Sequence, residues 1–215
     1  MSYYQEIISE RISPLTKEGE LLYKLTRGAS EQIYEIAKRH SESKFDTKIV
    51  RNAYGDDLTN QANEFFYKLA CNYDGAIAQQ VTNGRGHWYT RVQINNVIFT
   101  ISQVKTMGEM VRESVFRNDF VTDLNPTLFN PHPVIISREE PIYAVITHGP
   151  VSSKNRNIGF LNVGVIDSGY NSYVYLKDLY KKCSIKRSYE TVPAVEPKQQ
   201  KISKDEPKIS IKRSS

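Results

Sequence analysis

The chain has 215 residues, 39% hydrophobic and 25% charged, a balance that excludes a wholly disordered or collagen-like polypeptide. Its 29 lysines and arginines exceed its 24 aspartates and glutamates by five, yet residues 181–215 alone hold ten basic and four acidic side chains. Residues 1–180, with 19 basic and 20 acidic side chains, are nearly neutral, so the positive field belongs to the tail. Cys71 and Cys183 stand far apart with no C-x-x-C spacing, which argues against a disulfide scaffold or cysteine zinc site and points to a reducing compartment. No basic start followed by an apolar leader opens the chain. Apolar runs such as Val97 to Ile101 fall far short of the roughly 18 residues of a membrane span. A soluble cytoplasmic protein is expected, with one domain over residues 1–180 and a basic tail over 181–215.

Residues 1–80 read as helical. Ile7, Ile8 and Ile12 share one side of a short helix over residues 4–13, which Pro14 ends because proline cannot continue the amide ladder. A second helix, over 18–27, gathers Leu21, Leu22 and Leu25, with Gly28 as its stop. Ser30 then caps a third, carrying Ile33, Ile36 and Ala37 to about His40. From Asp57 to Asn72, the residues Leu58, Ala62, Phe65, Phe66, Leu69 and Ala70 recur at three- and four-residue spacings, the strongest helical signal in the chain. Asn60, Asn63 and Lys68 fall on its other sides. A helix-turn-helix would need a basic, polar-faced second helix after a short turn, and none follows.

After Asn83-Gly84 the period becomes two. Trp88 to Ile94 and Val97 to Ser102 alternate around Asn95-Asn96, a pair that tolerates positive φ, which predicts a β-hairpin. A two-residue loop pairs Ile94 with Val97, Val92 with Phe99 and Thr90 with Ile101. Met107 to Phe116 reads as a short helix, followed by a long loop through Asn125-Pro126, Asn130-Pro131 and His132-Pro133. Ile142 to His148, apolar on both faces, is a central strand ended by Gly149-Pro150, and residues 160–166 and 173–176 give two more. The class is α+β: N-terminal helices, then a mainly antiparallel sheet of about four or five strands over residues 84–180. Pro193, Pro197 and Pro207 and a scarcity of large apolar side chains predict disorder from about residue 190. There Ser184-Ile185-Lys186-Arg187-Ser188 recurs as Ser210-Ile211-Lys212-Arg213-Ser214. A basic, serine-flanked tail can hold a polyanion loosely, or simply keep the chain dissolved.

No phosphate loop, dinucleotide fingerprint, H-E-x-x-H helix or G-x-S-x-G elbow occurs. His40, His87, His132 and His148 share no metal-ligand spacing, so neither metal nor cofactor is expected. Three constellations remain. His87, Tyr89 and Arg91 share one strand face, where an aromatic and a cation could stack on bases and meet phosphates, or form the ordinary solvated side of a sheet. Arg112 and Arg117 could fork onto an anion, or pair with Glu113, Asp119 or Asp123. His148, at the end of a buried strand, could be an acid or base, or a structural histidine. Lys154 and Arg156 add charge in a nearby loop. Trp88, sharing the apolar face with Thr90 and Val92, is expected in the core. Together these residues suggest a non-enzymatic binding protein that engages single-stranded nucleic acid or another polyanion through His87, Tyr89, Arg91, Arg112, Arg117, Lys154, Arg156 and the tail. Two alternatives stand beside it. One is a small nuclease or other phosphoryl-directed hydrolase using His148 or His87 with the arginines; the other is a protein-interaction module presenting Phe116, Phe120 and Phe129 to a protein partner.

Overall fold

The computed structural model describes residues 3–44, 50–82, 87–125, 140–152 and 155–185. Lys154, the proline-rich segment 126–139 and the tail from residue 186, with the disorder expected of it, lie outside the described residues. Helix α1 spans Tyr3–Ile12 and gives way to a 3-10 turn over Pro14–Thr16, as the proline requires. Helix α2, Leu21–Gly28, runs through a π-helical stretch, Ala29–Glu35, into α3, Ile36–Lys44. Gly28 is therefore not a stop and Ser30 is not a cap. The glycine serves packing instead: a Cβ there would lie 2.4 Å from the tip of the Phe65 ring. Helix α4, Val50–Cys71, contains the strongly periodic segment, and Leu58, Ala62, Phe66 and Ala70 are buried at four-residue steps.

Six strands follow: β1 Ile77–Thr82, β2 Trp88–Ile94, β3 Val97–Gln103, β4 Ile142–Pro150, β5 Ile158–Ile166 and β6 Tyr173–Asp178. They lie in the sheet in chain order, and every neighbouring pair is antiparallel except β3 with β4. Strand β1 exceeds the expected count and begins inside the segment read as helical. As an edge strand of largely exposed side chains, Ile-Ala-Gln-Gln-Val-Thr, it carries no clean alternation to reveal it. The hairpin forms as predicted: Asn95 and Asn96 adopt φ of 48° and 58°, and Ile94 pairs with Val97 and Val92 with Phe99. Thr90 does not pair with Ile101. It pairs with Gln80 of β1, and its amide donates to Asn63 Oδ1 on α4 at 2.8 Å.

The short helix expected over 107–116 is also absent. Gly108 takes a φ of 80°, and the Glu109 carboxylate accepts the Lys105 and Thr106 amides, each at 2.9 Å, which fixes a turn. Helix α5 starts later, at Val115–Leu124. It lies in the crossover that joins the parallel strands and packs on the sheet face opposite the N-terminal helices. One face therefore buries Val92, Phe99, Ile146, Leu161 and Val163 against Leu22, Leu25, Ile33, Leu58 and Phe66. The other buries Ile98, Tyr143, Val145, Phe160 and Ile166 against Val111 and Val121. Double coverage explains why β4 is apolar at successive positions, each large side chain contributing about 1.5–3 kcal/mol on burial. After β6 comes α6, Leu179–Lys182, whose Tyr180 amide donates to Asp178 Oδ1 at 2.9 Å. Leu179, Tyr180 and Cys183 are buried and Ile185 packs against them, so the packed body runs past residue 180. No helix among the described residues is long and apolar enough to cross a membrane.

Candidate functional site

Strand β2 outruns its helical cover. Thr90 marks the limit: besides its amide bond to Asn63 Oδ1, its hydroxyl donates to the Asn63 carbonyl at 2.9 Å, which clamps α4 to the strand. Trp88 lies two residues further out on the same face, beyond the clamp, and is 67% exposed. The expectation that it sits in the core is thus corrected. Parity assigns it to the helix-covered face, but the cover ends before reaching it.

A groove of about 490 Å³ opens at this place, lined by Asn60, Gln61, Asn63 and Glu64 from α4, Gln80 from β1, and Trp88, Tyr89 and Thr90 from β2. Spacing on α4 sets the wall, since residues three and four apart share a helix face. Gln80 enters because it is the direct cross-strand partner of Thr90. Asn63 is committed to structure at both ends, its amide also donating to the Thr59 carbonyl at 3.0 Å. Gln80 Nε2 donates to Glu64 Oε2 at 3.2 Å, while Lys68 lies 3.0 Å from Glu64 Oε1. A side-chain amide nitrogen carries two N–H groups, so Gln80 keeps one donor as well as its carbonyl, and Glu64 keeps further lone pairs, in the groove that Trp88 also lines.

The other side of β2 brings together several residues singled out in the sequence. Tyr89 stacks on Phe116 of α5, with centroids 3.8 Å apart and planes 13° from parallel. Phe116 meets Phe120 edge-on, and Phe120 stacks with Tyr143. Arg91 hydrogen-bonds the side chain of Gln79, its cross-strand partner, and holds its guanidinium 6.0 Å from the Phe120 ring centre. Arg117 is buried, donates to the Arg112 carbonyl and, at 3.1 Å, to Ser102 Oγ, and sits 5.0 Å from the Phe116 ring centre. Ion pairs among the described residues include Lys44 with Asp57 and Lys68 with Glu64. Arg117 thus meets neutral oxygens and a ring rather than Glu113, Asp119 or Asp123. Arg112 contributes its carbonyl here, and His87 is exposed at the entrance to β2. Arg156 belongs elsewhere: it lies 4.9 Å from the Tyr54 ring centre, and the Tyr54 hydroxyl donates to its carbonyl at 2.9 Å.

His148 is wholly buried in β4. Its Nδ1 is 3.0 Å from the hydroxyl of Tyr34, a residue of the π-helical stretch, and its Nε2 has no partner among the described residues. Burial lowers its pKa to about 4, so the ring is neutral at pH 7, and solvent does not reach it. A catalytic base needs access to its substrate, which this position lacks. Among the described residues no three histidine, cysteine or carboxylate groups gather to hold a metal ion.

The groove residues Asn60, Gln61, Asn63, Glu64 and Gln80 were not singled out in the sequence. The one available signal was the density of amides in Asn60-Gln61-Ala62-Asn63 on a helix flank. Comparison of the chain with known families, curated proteins and solved structures returns no match.

Proposed function

We propose that this chain is a non-enzymatic binding protein for single-stranded nucleic acid, which it seats in the groove between α4 and β1–β2 with a base stacked on Trp88. The observation that carries this reading is the indole, 67% exposed at the mouth of an amide-lined groove. An aromatic face left in water is an unused stacking surface, and stacking a base on one contributes about 1–3 kcal/mol. Asn60 and Gln61 carry a donor and an acceptor side by side, as base edges do. The interface expected in the sequence is thereby moved across the strand, from Tyr89, whose ring already lies on Phe116, to Trp88.

Phosphate attraction comes from elsewhere in the chain. The body is nearly neutral, while residues 181–215 hold ten basic side chains, so the tail supplies the salt-sensitive part of binding and the groove the part that survives salt. A reducing, cytoplasmic setting goes with this proposal, because Cys71 and Cys183 are free thiols.

Fluorescence anisotropy with short mixed-sequence RNA and DNA single strands tests the reading. The full chain should bind saturably at physiological salt, and Trp88→Ala should weaken that binding by about tenfold or more. Its unfolding midpoint should stay near that of the parent, since exposed substitutions change stability by no more than about 0.5 kcal/mol. Unchanged affinity in Trp88→Ala, or no saturable binding at all, removes the reading.

A further inference from the structure

We infer that the outer edge of β1 pairs with the β1 edge of a second copy of this chain, joining two sheets about a two-fold axis at Gln79. The sheet has two outer strands, and they differ. Strand β6 is guarded: Lys177 is exposed, the register with β5 shifts at Val165/Ile166, and Gln5 of α1 donates to the Val174 carbonyl at 3.1 Å. Charge, irregularity and cover are the usual means of keeping an edge from pairing. Strand β1 shows none of them among the described residues. Ile-Ala-Gln-Gln-Val-Thr has no charge and no proline, its register with β2 is unbroken, and Ile77 is 59% exposed.

The direction of its backbone groups follows from the Asn95-Asn96 hairpin. Residues that flank a two-residue loop exchange both ladder bonds, so Ile94 and Val92 face β3, while Gln93 and Arg91 face β1. Ile77 and Gln79, opposite those two, are therefore spent on β2, and Ala78 and Gln80 turn their N–H and C=O groups outward. Thr90 agrees: it is the partner of Gln80, and its amide points to Asn63 rather than to β1.

A two-fold axis between antiparallel strands stands perpendicular to the sheet, so the residue on the axis faces itself and both sets of helices keep to one side. With Gln79 there, Ala78 and Gln80 of one copy exchange ladder bonds with Gln80 and Ala78 of the other. Ile77 meets Val81 of the other copy, twice, which covers the exposed isoleucine. Charge fits the same register. Glu64 is bonded to Gln80, and Lys68, one helical turn or about 6 Å further along α4, lies about two strand residues back toward Ala78, because β1 returns along the helix. Each acid is thereby brought opposite the base of the other copy. Residues 1–180, nearly neutral, add little repulsion between copies.

Sedimentation velocity on the full chain, without nucleic acid, tests the pairing. The parent should pass from one chain to two between about 1 and about 100 μM, the weak association expected of a small interface. Ala78→Pro removes an outward amide and no bond to β2, and Ile77→Lys sets a charge against Val81. Each should stay monomeric over that range, with circular dichroism like that of the parent. In a Cys71→Ser chain, which lacks the exposed native thiol, Gln79→Cys should cross-link to a dimer under a mild oxidant, because facing residues without ladder bonds lie about 4.5 Å apart at Cα. Val81→Cys, which faces Ile77, should not. A parent that stays monomeric at every concentration overturns the inference. A dimer that survives both edge substitutions overturns the assignment to β1, and cross-linking of Val81→Cys rather than Gln79→Cys overturns the register. Sedimentation is blind to binding at Trp88, so this inference and the proposed function fail separately.

Discussion

His148 keeps one ring nitrogen on the Tyr34 hydroxyl and the other without a partner, deep in a sheet that solvent does not reach. Its pKa falls from 6.5 to about 4 because an imidazolium there would lose its hydration. The unfolded chain therefore takes up a proton below pH 6.5 that the folded chain refuses until about pH 4. His148 costs no stability above pH 6.5, and stability drains away as the pH falls through that window. The full effect is on the order of 3 kcal/mol. Urea unfolding at pH 7 and at pH 4.5 should show this loss, and His148→Gln, which keeps an acceptor for Tyr34, should show much less of it. Equal losses in both chains would mean that other groups carry the acid sensitivity. At this scale the sequence was informative about direction and silent about depth. Period two assigned Tyr89 and Arg91 to one face of β2 and Trp88 to the other, which the structure bears out. It could not reveal that Phe116 covers Tyr89, or that α4 leaves Trp88 exposed, because both depend on partners distant in sequence.

Elements declared themselves when their pattern was local. The Asn95-Asn96 hairpin needs two adjacent residues at positive φ, and α4 needs only its own periodicity, so both are legible. Elements defined by contact were not. Gly28 looks like a stop until Phe65 is seen against it, and β1 looks like nothing until β2 pairs with it. Gly149 makes the same point in a strand. It was read as the end of β4, yet the strand continues through it to Pro150, and a Cβ there would lie 2.4 Å from the Val104 carbonyl and 2.5 Å from the Phe160 ring. The first neighbour is backbone and cannot rotate away. Gly149→Ala should therefore destabilise the fold by about 1–3 kcal/mol, read as a lower urea midpoint at unchanged m value. A midpoint within error of the parent would show that β4 and Val104 separate at little cost.

Across the whole molecule, charge is segregated along the chain: residues 1–180 are nearly neutral and residues 181–215 carry the net positive charge. Composition was enough to reveal that division, because charge along a chain needs no fold to be counted. The order of the strands was not accessible, since nothing local states that the β3–β4 connection crosses over rather than turns. That parallel junction has a kinetic consequence. On each side of it lie three strands joined in antiparallel fashion, β1 to β3 and β4 to β6, with short connections. Joining the two halves requires closing the whole of residues 104–141, a larger loss of chain entropy than any hairpin demands. The junction should form after the rate-limiting barrier. Thr100 and Tyr143 share a hydrogen bond of 2.6 Å across it, so Tyr143→Phe should speed unfolding and leave the refolding rate nearly unchanged in a chevron experiment. Slowed refolding would show the opposite order of events. If the expected order holds, a chain emerging from its synthesis can complete the first half-sheet while the second is still being made, and the parallel seam becomes the point at which the fold waits for its own C-terminal half.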